Sequence, residues 1–581
     1  MPGQVPYKPF WPATVVLWGA GATAQLGFPT TDAQADCLSK LAAIRTGGLE
    51  ERVRSAFPKA SRQEQRDVED FLLILGDTDG RQGRPRRDED IAQAARRQFD
   101  QIDVVARERR MEKLRRTYNW PALRRVILSS PRQSALGTAS GLPSAMNAAI
   151  SLQDLFNLLD LHIQANIGFH AADPNGDEES AFIRPDALPT ARGALQLLII
   201  LQFVLGYRRL LTRANLLRPY QQFAESLARL MQKEGMLLAT QGEDTKTRNY
   251  YLFGYSLVSM NWDPLLIWLV FNAHERANHH WPGASVGRPP RPQKLFNDLA
   301  YLVVRQVDGE DLDIWYMMNE SSAQRLNDPK HLGDRYVRTG KFYFPHGSTN
   351  LRECPNCGKM NAYLGDEWNL VSRSLLPPLP IPNWCKDWRK PRSAEEEKAQ
   401  SLGDSDALQC GYCGTMMGFE QASLLMQTNF KGAMSPYLDE TQRELRAALE
   451  NAKHMVLMGY SLPKDDVLYR SVLAARLGNP PRERSKKRLY VSLVGKQDKA
   501  PSQWLENEEI ERLPRDCDLV RIYRDLSSIV ARGDPERLRV RAYGRGVPSV
   551  FAPSGGPVDD DNIRDLLFPW ELWQEHLESA A

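Results

Sequence analysis

The stretch Ala13–Thr31, ATVVLWGAGATAQLGFPTT, decides how the rest of the chain is read. Its apolar run Val15-Val16-Leu17-Trp18 stops abruptly at Gly19-Ala20-Gly21. An uninterrupted apolar run of this length reads as a strand buried on both faces, as in a parallel sheet. The glycines predict a tight turn, with a helix beginning near Ala22. Such a turn lets backbone N–H groups approach a phosphate, and a helix N-terminus favours its negative charge. The third glycine of a GxGxxG pattern is missing, because Ala24 stands in its place. An ordinary strand-to-helix turn would explain the same residues. Gly27-Phe28-Pro29-Thr30 follows one helical turn later and reads as a second loop over the same crevice, which favours nucleotide binding.

The 581 residues suffice for two to four domains, and 42% hydrophobic residues can supply a large core. A net charge of +3 does not by itself imply a nucleic-acid or membrane partner. The opening MPGQVPYKPFWPA has no apolar core of a signal peptide, so a cytoplasmic location is expected. The longest apolar run, Leu195–Tyr207, is broken by Gln196 and Gln202 and is too short to span a bilayer; it reads as a buried helix, and no membrane is expected. Residues 80–125 carry fourteen Lys/Arg against seven Asp/Glu. Acids and bases alternating at i,i+4 read as the solvated face of a long helix. A nucleic-acid or acidic-partner patch is the alternative, and the stretch lacks the aromatic interleaving that would stack bases.

Residues 149–169, 191–212 and 220–236 read as helices, which makes 78–249 a large helical insertion. Residues 250–270 read as a strand, the polar break Met260-Asn261-Trp262-Asp263 and a helix. A strand over 342–348 ends in Pro345-His346-Gly347. Further on, the pattern predicts a helix over 436–451, a strand His454–Met458 followed by Gly459-Tyr460-Ser461-Leu462, and a helix from Asp465. Strands Leu489–Val494 and Leu519–Tyr523 complete an alternating β/α order. A Trp-bearing helix over 563–578 closes the chain.

Seven cysteines include two Cys-x-x-Cys pairs, Cys354/Cys357 and Cys410/Cys413, each followed by glycine. Two such knuckles offer four thiolates for a tetrahedral Zn2+, a structural site with no open position for catalysis. The 52 residues between the pairs exceed the usual spacing and read as an insertion containing Cys385, a possible competing ligand. Cys37 and Cys517 read as buried small residues.

In chain order, Gly19-Ala20-Gly21-Ala22-Thr23, Gly27-Phe28-Pro29, Asn261-Trp262-Asp263, His346-Gly347, the two Cys-x-x-Cys pairs and Gly459-Tyr460-Ser461-Leu462 resemble the sirtuin family. They are more similar still to the sirtuin-like NAD-consuming effectors of bacterial anti-phage defence. The resemblance covers 13–77 and 250–530. It implies an α/β fold: a Rossmann-like parallel sheet with helices on both faces, an inserted zinc-ribbon module and, outside the resemblance, the helical insertion. The corresponding segments are 1–77, 250–349 and 429–535 for the Rossmann-like domain, 350–428 for the zinc ribbon, 78–249 for the insertion and 536–581 for a C-terminal tail.

The resemblance implies that Gly19, Ala20, Gly21, Ala22 and Thr23 form a pyrophosphate loop, with Phe28 and Pro29 in the loop beside it. Asn261 and Asp263 match an Asn-x-Asp motif at the nicotinamide ribose, and His346 matches the histidine that handles ribose hydroxyls. Gly459 and Ser461 match the loop that holds the adenosine side. Departures are Thr30-Thr31-Asp32 where protein deacylases carry Asp-Phe-Arg, and Met260 where they carry Gln. The expected function is therefore NAD+ hydrolysis to nicotinamide and ADP-ribose. Protein deacylation, ADP-ribosyl transfer and non-catalytic NAD or ADP-ribose sensing are the alternatives. Asn261 and His346 are the expected catalytic pair; helix capping by Asn261 or Asp263, and a turn role for His346, are the bland readings of the same residues. Effectors of this kind are held inactive by oligomerisation or a partner, so a homo-oligomer and a regulatory protein partner are expected.

Overall fold

A computed structural model describes residues 12–43, 48–77, 88–129, 151–171, 182–240, 252–279, 302–308, 311–316, 339–363, 376–384, 391, 393–424, 435–463, 466–476, 488–497, 502–515, 517–532, 534–570 and 572. Its centre is a seven-stranded sheet. In chain order the strands are β1 (Thr14–Trp18), β2 (Leu252–Ser259), β3 (Thr339–Tyr343), β4 (His454–Met458), β5 (Leu489–Val494), β6 (Leu505–Glu506) and β7 (Leu538–Tyr543). Their order across the sheet is β6-β7-β5-β4-β1-β2-β3. Every pairing is parallel except β6 with β7.

All five residues of β1 are buried, and the period of two sends them to opposite layers. Val16 and Trp18 enter one core with the helices Thr31–Ala42, Leu188–Leu211, Arg218–Thr240 and Leu265–His279. Val15 and Leu17 enter a second core with the helices Pro436–Asn451, Val467–Ala475 and Asp518–Leu526. Helices therefore cover both faces, as an apolar, non-alternating strand requires.

The chain leaves β1 for β2 and β3 on one side and returns for β4, β5 and β7 on the other. The strand order thus reverses beside β1, and a crevice opens there at the carboxyl ends of the strands. Gly19 and Gly459 make that crevice narrow. A Cβ on Gly19 would lie 2.5 Å from the Gly459 carbonyl oxygen, and one on Gly459, at φ +62°, would lie 2.2 Å from the Ala22 nitrogen. The two turns touch backbone to backbone.

The helical layer braces the first turn from behind. Tyr220 on Arg218–Thr240 donates its hydroxyl to the Ala22 carbonyl at 2.7 Å. Phe223 lies between Trp18 (5.9 Å) and Phe551 (4.3 Å), linking β1, the helical layer and the segment after β7. The helix Leu188–Leu211 is long and apolar enough to cross a membrane by length and composition, yet 72% of that window is buried within the protein. A second sheet pairs Ala422–Leu424, Gly347–Glu353, Met360–Tyr363, Leu302–Asp308 and Asp311–Tyr316.

Several expectations are corrected. Leu519–Tyr523 is not a strand but part of the helix Asp518–Leu526. Leu519, Val520, Ile522 and Leu526 are its buried residues, a spacing that suits one helical face. The missing strand is Leu538–Tyr543, which pairs with β5 along its whole length. Residues 88–129 form three helices, Asp88–Gln98, Val104–Thr117 and Trp120–Ser129, rather than one. Of the helix expected over 563–578, Asp560–Leu567 covers the start and Trp570 lies outside it, while residue 571 and residues 573–578 lie outside the described residues. The helical layer also carries one small hairpin pairing, Phe169–His170 with Phe182–Ile183. Strand β3 stops at Tyr343, so Pro345 and His346 form the turn into Gly347–Glu353. Asp465, the expected helix start, lies outside the described residues, and the helix there is Val467–Ala475.

Candidate functional site

A cavity of about 300 Å³ lies at the reversal of strand order. Its wall includes Gly19, Ala20, Gly21 and Thr23 after β1, Asn261 and Asp263 after β2, His346 after β3, and Gly459 and Ser461 after β4. Pro29 also reaches it. Ala22 and Phe28 stand behind this wall in the core: Ala22 is tied to Tyr220, and Phe28 packs on Phe203 at 6.3 Å.

The turn after β1 is already partly engaged. The Gly21 N–H donates to the Gly459 carbonyl at 2.9 Å, and the Ala22 N–H donates to the Gly19 carbonyl at 2.9 Å. The crook therefore presents fewer backbone donors to an anion than its sequence pattern implies. No Lys or Arg lines the cavity among the described residues, whereas Asp32, Asp263 and Asp518 do.

After β2 the Met260 N–H donates to the Trp18 carbonyl at 2.9 Å, so the polar break starts in register with β1. Asn261 Nδ2 donates to Thr23 Oγ1 at 3.4 Å, and that hydroxyl donates to Asp263 Oδ2 at 3.2 Å. The other oxygen of Asp263 accepts the Leu265 N–H at 3.1 Å, so Asp263 performs the capping role its position allows. Burial raises its carboxyl to about 6 against the pull of these hydrogen bonds, which favour the charged form.

His346 is fixed to the same loop through the backbone. The Trp262 carbonyl accepts from Ser348 Oγ at 2.9 Å, Thr349 Oγ1 at 2.9 Å and the Thr349 N–H at 2.7 Å. The Pro345 carbonyl accepts from Gln442 Nε2 at 3.1 Å. The imidazole, 2% exposed, stands edge-on to Tyr469, with Nε2 3.9 Å from Asp466 Oδ1. Asp466 also accepts the Tyr460 hydroxyl. Asn261 and Asp263 from one part of the chain and His346 from another thus line one small cavity, with Asp466 near the imidazole.

Two wall residues, Phe203 and Gln34, were not foreseen from sequence. Phe203 comes from the middle of the long helical-layer helix, and no local motif marks it. Gln34 follows the Thr30 N-cap, whose hydroxyl accepts the Ala33 N–H at 3.4 Å; a polar residue one turn into a capped helix was the available signal.

Cys354, Cys357, Cys410 and Cys413 place all four Sγ atoms within 4.8 Å of one another. A tetrahedral Zn2+ with Zn–S bonds of about 2.3 Å requires Sγ separations of about 3.8 Å. The Cys354–Cys413 and Cys357–Cys410 separations are 3.5 and 3.8 Å. Each knuckle closes with the same pair of bonds, Cys354 N–H to Lys359 O and Gly358 N–H to Cys354 O in one, Cys410 N–H to Thr415 O and Gly414 N–H to Cys410 O in the other. Asn361 donates to Cys410 Sγ at 3.4 Å and accepts the Gly411 N–H at 2.9 Å. This group can hold a metal such as zinc. Cys385 lies outside the described residues, and Cys37 and Cys517 are buried.

Fold and site together define a mixed α/β protein with a mostly parallel sheet, a cavity at the strand carboxyl ends and a cluster of four cysteines. No protein-family model matches the chain, and no curated protein matches it.

Proposed function

We propose that the protein is a sirtuin-like NAD+ glycohydrolase with a Rossmann-like nucleotide domain and a structural zinc ribbon. The single observation that carries this reading is the convergence of Asn261, Asp263 and His346 on one cavity beside the Gly19–Gly21 crook. The pyrophosphate lies along the crook and the adenosine side lies toward Gly459 and Ser461. The nicotinamide ribose faces Asn261 and His346.

Cleavage breaks the bond between ribose C1′ and the nicotinamide nitrogen. The bonding pair leaves with nicotinamide, and positive charge spreads over the ribose ring. The acidic wall supports such chemistry, because a cationic transition state is stabilised by a nearby carboxylate. Asp263, titrating at about 6, is mostly charged at neutral pH. Asn261 positions the ribose and the attacking water without adding charge. His346 takes the proton from that water, or from a ribose hydroxyl, as the C1′–O bond forms. The products are nicotinamide, ADP-ribose and one proton.

Purified protein incubated with NAD+ alone should release free nicotinamide, and Asn261→Ala or His346→Ala should lower that rate at least about a hundredfold with folding intact. Release only in the presence of an acylated peptide would instead support deacylation. Binding without release would support a sensing role. Wild-type rates in both variants would end the assignment. A role as an anti-phage effector, and any oligomer or regulatory partner, rest on the sequence resemblance alone.

A further inference from the structure

Gln34 is 2% exposed, lines the cavity, and its Oε1 is buried with no hydrogen-bond partner. A buried amide oxygen without a partner is disfavoured, because it has lost water and gained nothing in return. On a cavity wall that deficit is removed by a ligand that brings a donor. The neighbouring Thr31 and Asp32 are solvent-exposed, so Gln34 is the buried polar group of this flank.

We propose that Gln34 is a specificity residue that reads a planar amino group on the ligand, its Oε1 accepting an N–H bond. The inference rests on the dinucleotide reading above and names a contact that reading does not include. Two parts of NAD+ carry this chemistry, the nicotinamide carboxamide and the exocyclic amine of adenine. Each presents an acceptor beside its amino group, so either can also accept an N–H bond from Gln34 Nε2. A site built around an acceptor discriminates strongly against an analogue that lacks the donor.

The test measures dissociation constants for the full chain carrying Asn261→Ala, to prevent turnover, with and without Gln34→Leu or Gln34→Glu. The ligands are NAD+, nicotinic acid adenine dinucleotide and nicotinamide hypoxanthine dinucleotide. With Gln34 present, the analogue lacking the amino group it reads should bind about tenfold or more weakly than NAD+. Loss of affinity for the nicotinic acid analogue assigns the carboxamide, and loss for the hypoxanthine analogue assigns adenine. Gln34→Leu should abolish that one preference, and Gln34→Glu, which keeps an acceptor oxygen, should retain it. Equal affinity for all three ligands, or preferences that survive Gln34→Leu in a variant with unchanged circular dichroism, would overturn the inference while leaving the dinucleotide reading in place. Absence of binding by any of the three dinucleotides would remove that reading and this inference with it.

Discussion

At the scale of single residues, the polar break after β2 sets the chemistry. Asp263 holds three partners in place at once: it caps the helix Leu265–His279, receives the Thr23 hydroxyl and, through Thr23, steadies Asn261. The charged form accepts on both oxygens, and protonation takes one of them away as a full acceptor. Burial disfavours charge, so the carboxyl takes up a proton at about pH 6, well above the range of an exposed aspartate. The sign follows: below about pH 6 the acceptor on that oxygen is lost and the cationic transition state loses its counter-charge. We expect kcat/KM for NAD+ cleavage to fall about tenfold per pH unit on the acid side of 6. Asp263→Asn should abolish that limb while lowering the plateau rate about ten- to a hundredfold. An acid limb unchanged in the variant would assign the titration to another group. Asn261, Asp263 and His346 were legible in the sequence through the ordered motifs that carry the family resemblance. Gln34 and Phe203 were not, because what makes them part of the site is packing between helices far apart in the chain.

At the scale of elements, sequence and structure agree where pattern and environment agree. Val15–Trp18, His454–Met458 and the helix Pro436–Asn451 have the periodicity of their final surroundings. Leu538–Tyr543, LRVRAY, was missed because arginines alternate through it, which reads as an exposed segment. Arg541 lies over the rings of Trp504 (4.0 Å) and Trp570 (5.2 Å) and binds Asp565 at 2.8 Å, so aromatic faces and a carboxylate shield its charge beside the sheet. Asp518–Leu526 was misread because Leu-Val-Arg-Ile-Tyr has strand-like residues over too short a window for the helical period to show. The four-cysteine module is the element most dependent on something besides its own core. Among the described residues, the apolar cluster at the cysteines is Cys354, Tyr363, Leu408, Cys410 and Met417 with Cys357 against it. Metal binding should therefore supply most of its local stability. Chelation, or Cys354→Ala, should lower hydrogen-exchange protection of residues 408–417 at least about a hundredfold and leave protected both β1 and Met360–Tyr363, whose Met360 and Ala362 sit in the large core. Unchanged protection after verified metal removal would show that the module folds without it.

At the scale of the whole molecule, one topological fact organises the rest: the strand order turns back beside β1, and six separated segments meet at that point. The sequence carried the order of these segments but not the closeness of Gly19 to Gly459, which depends on two backbones touching where neither turn has room for a side chain. It carried the helices of the 78–249 region but not their role as the bed on which β1 and its turn rest, through Tyr220, Phe223 and Phe203. The central claim is that a dinucleotide occupies this meeting point. A crystal structure of the full chain with ADP-ribose tests it most directly. The pyrophosphate should lie along Gly19–Gly21, with ribose hydroxyls within about 3 Å of Asn261 or His346 side-chain atoms. ADP-ribose seated instead in the cavity of about 380 Å³ beside Arg545 and residues 548–558, or absent from the β1 crevice at saturating concentration, would contradict the account.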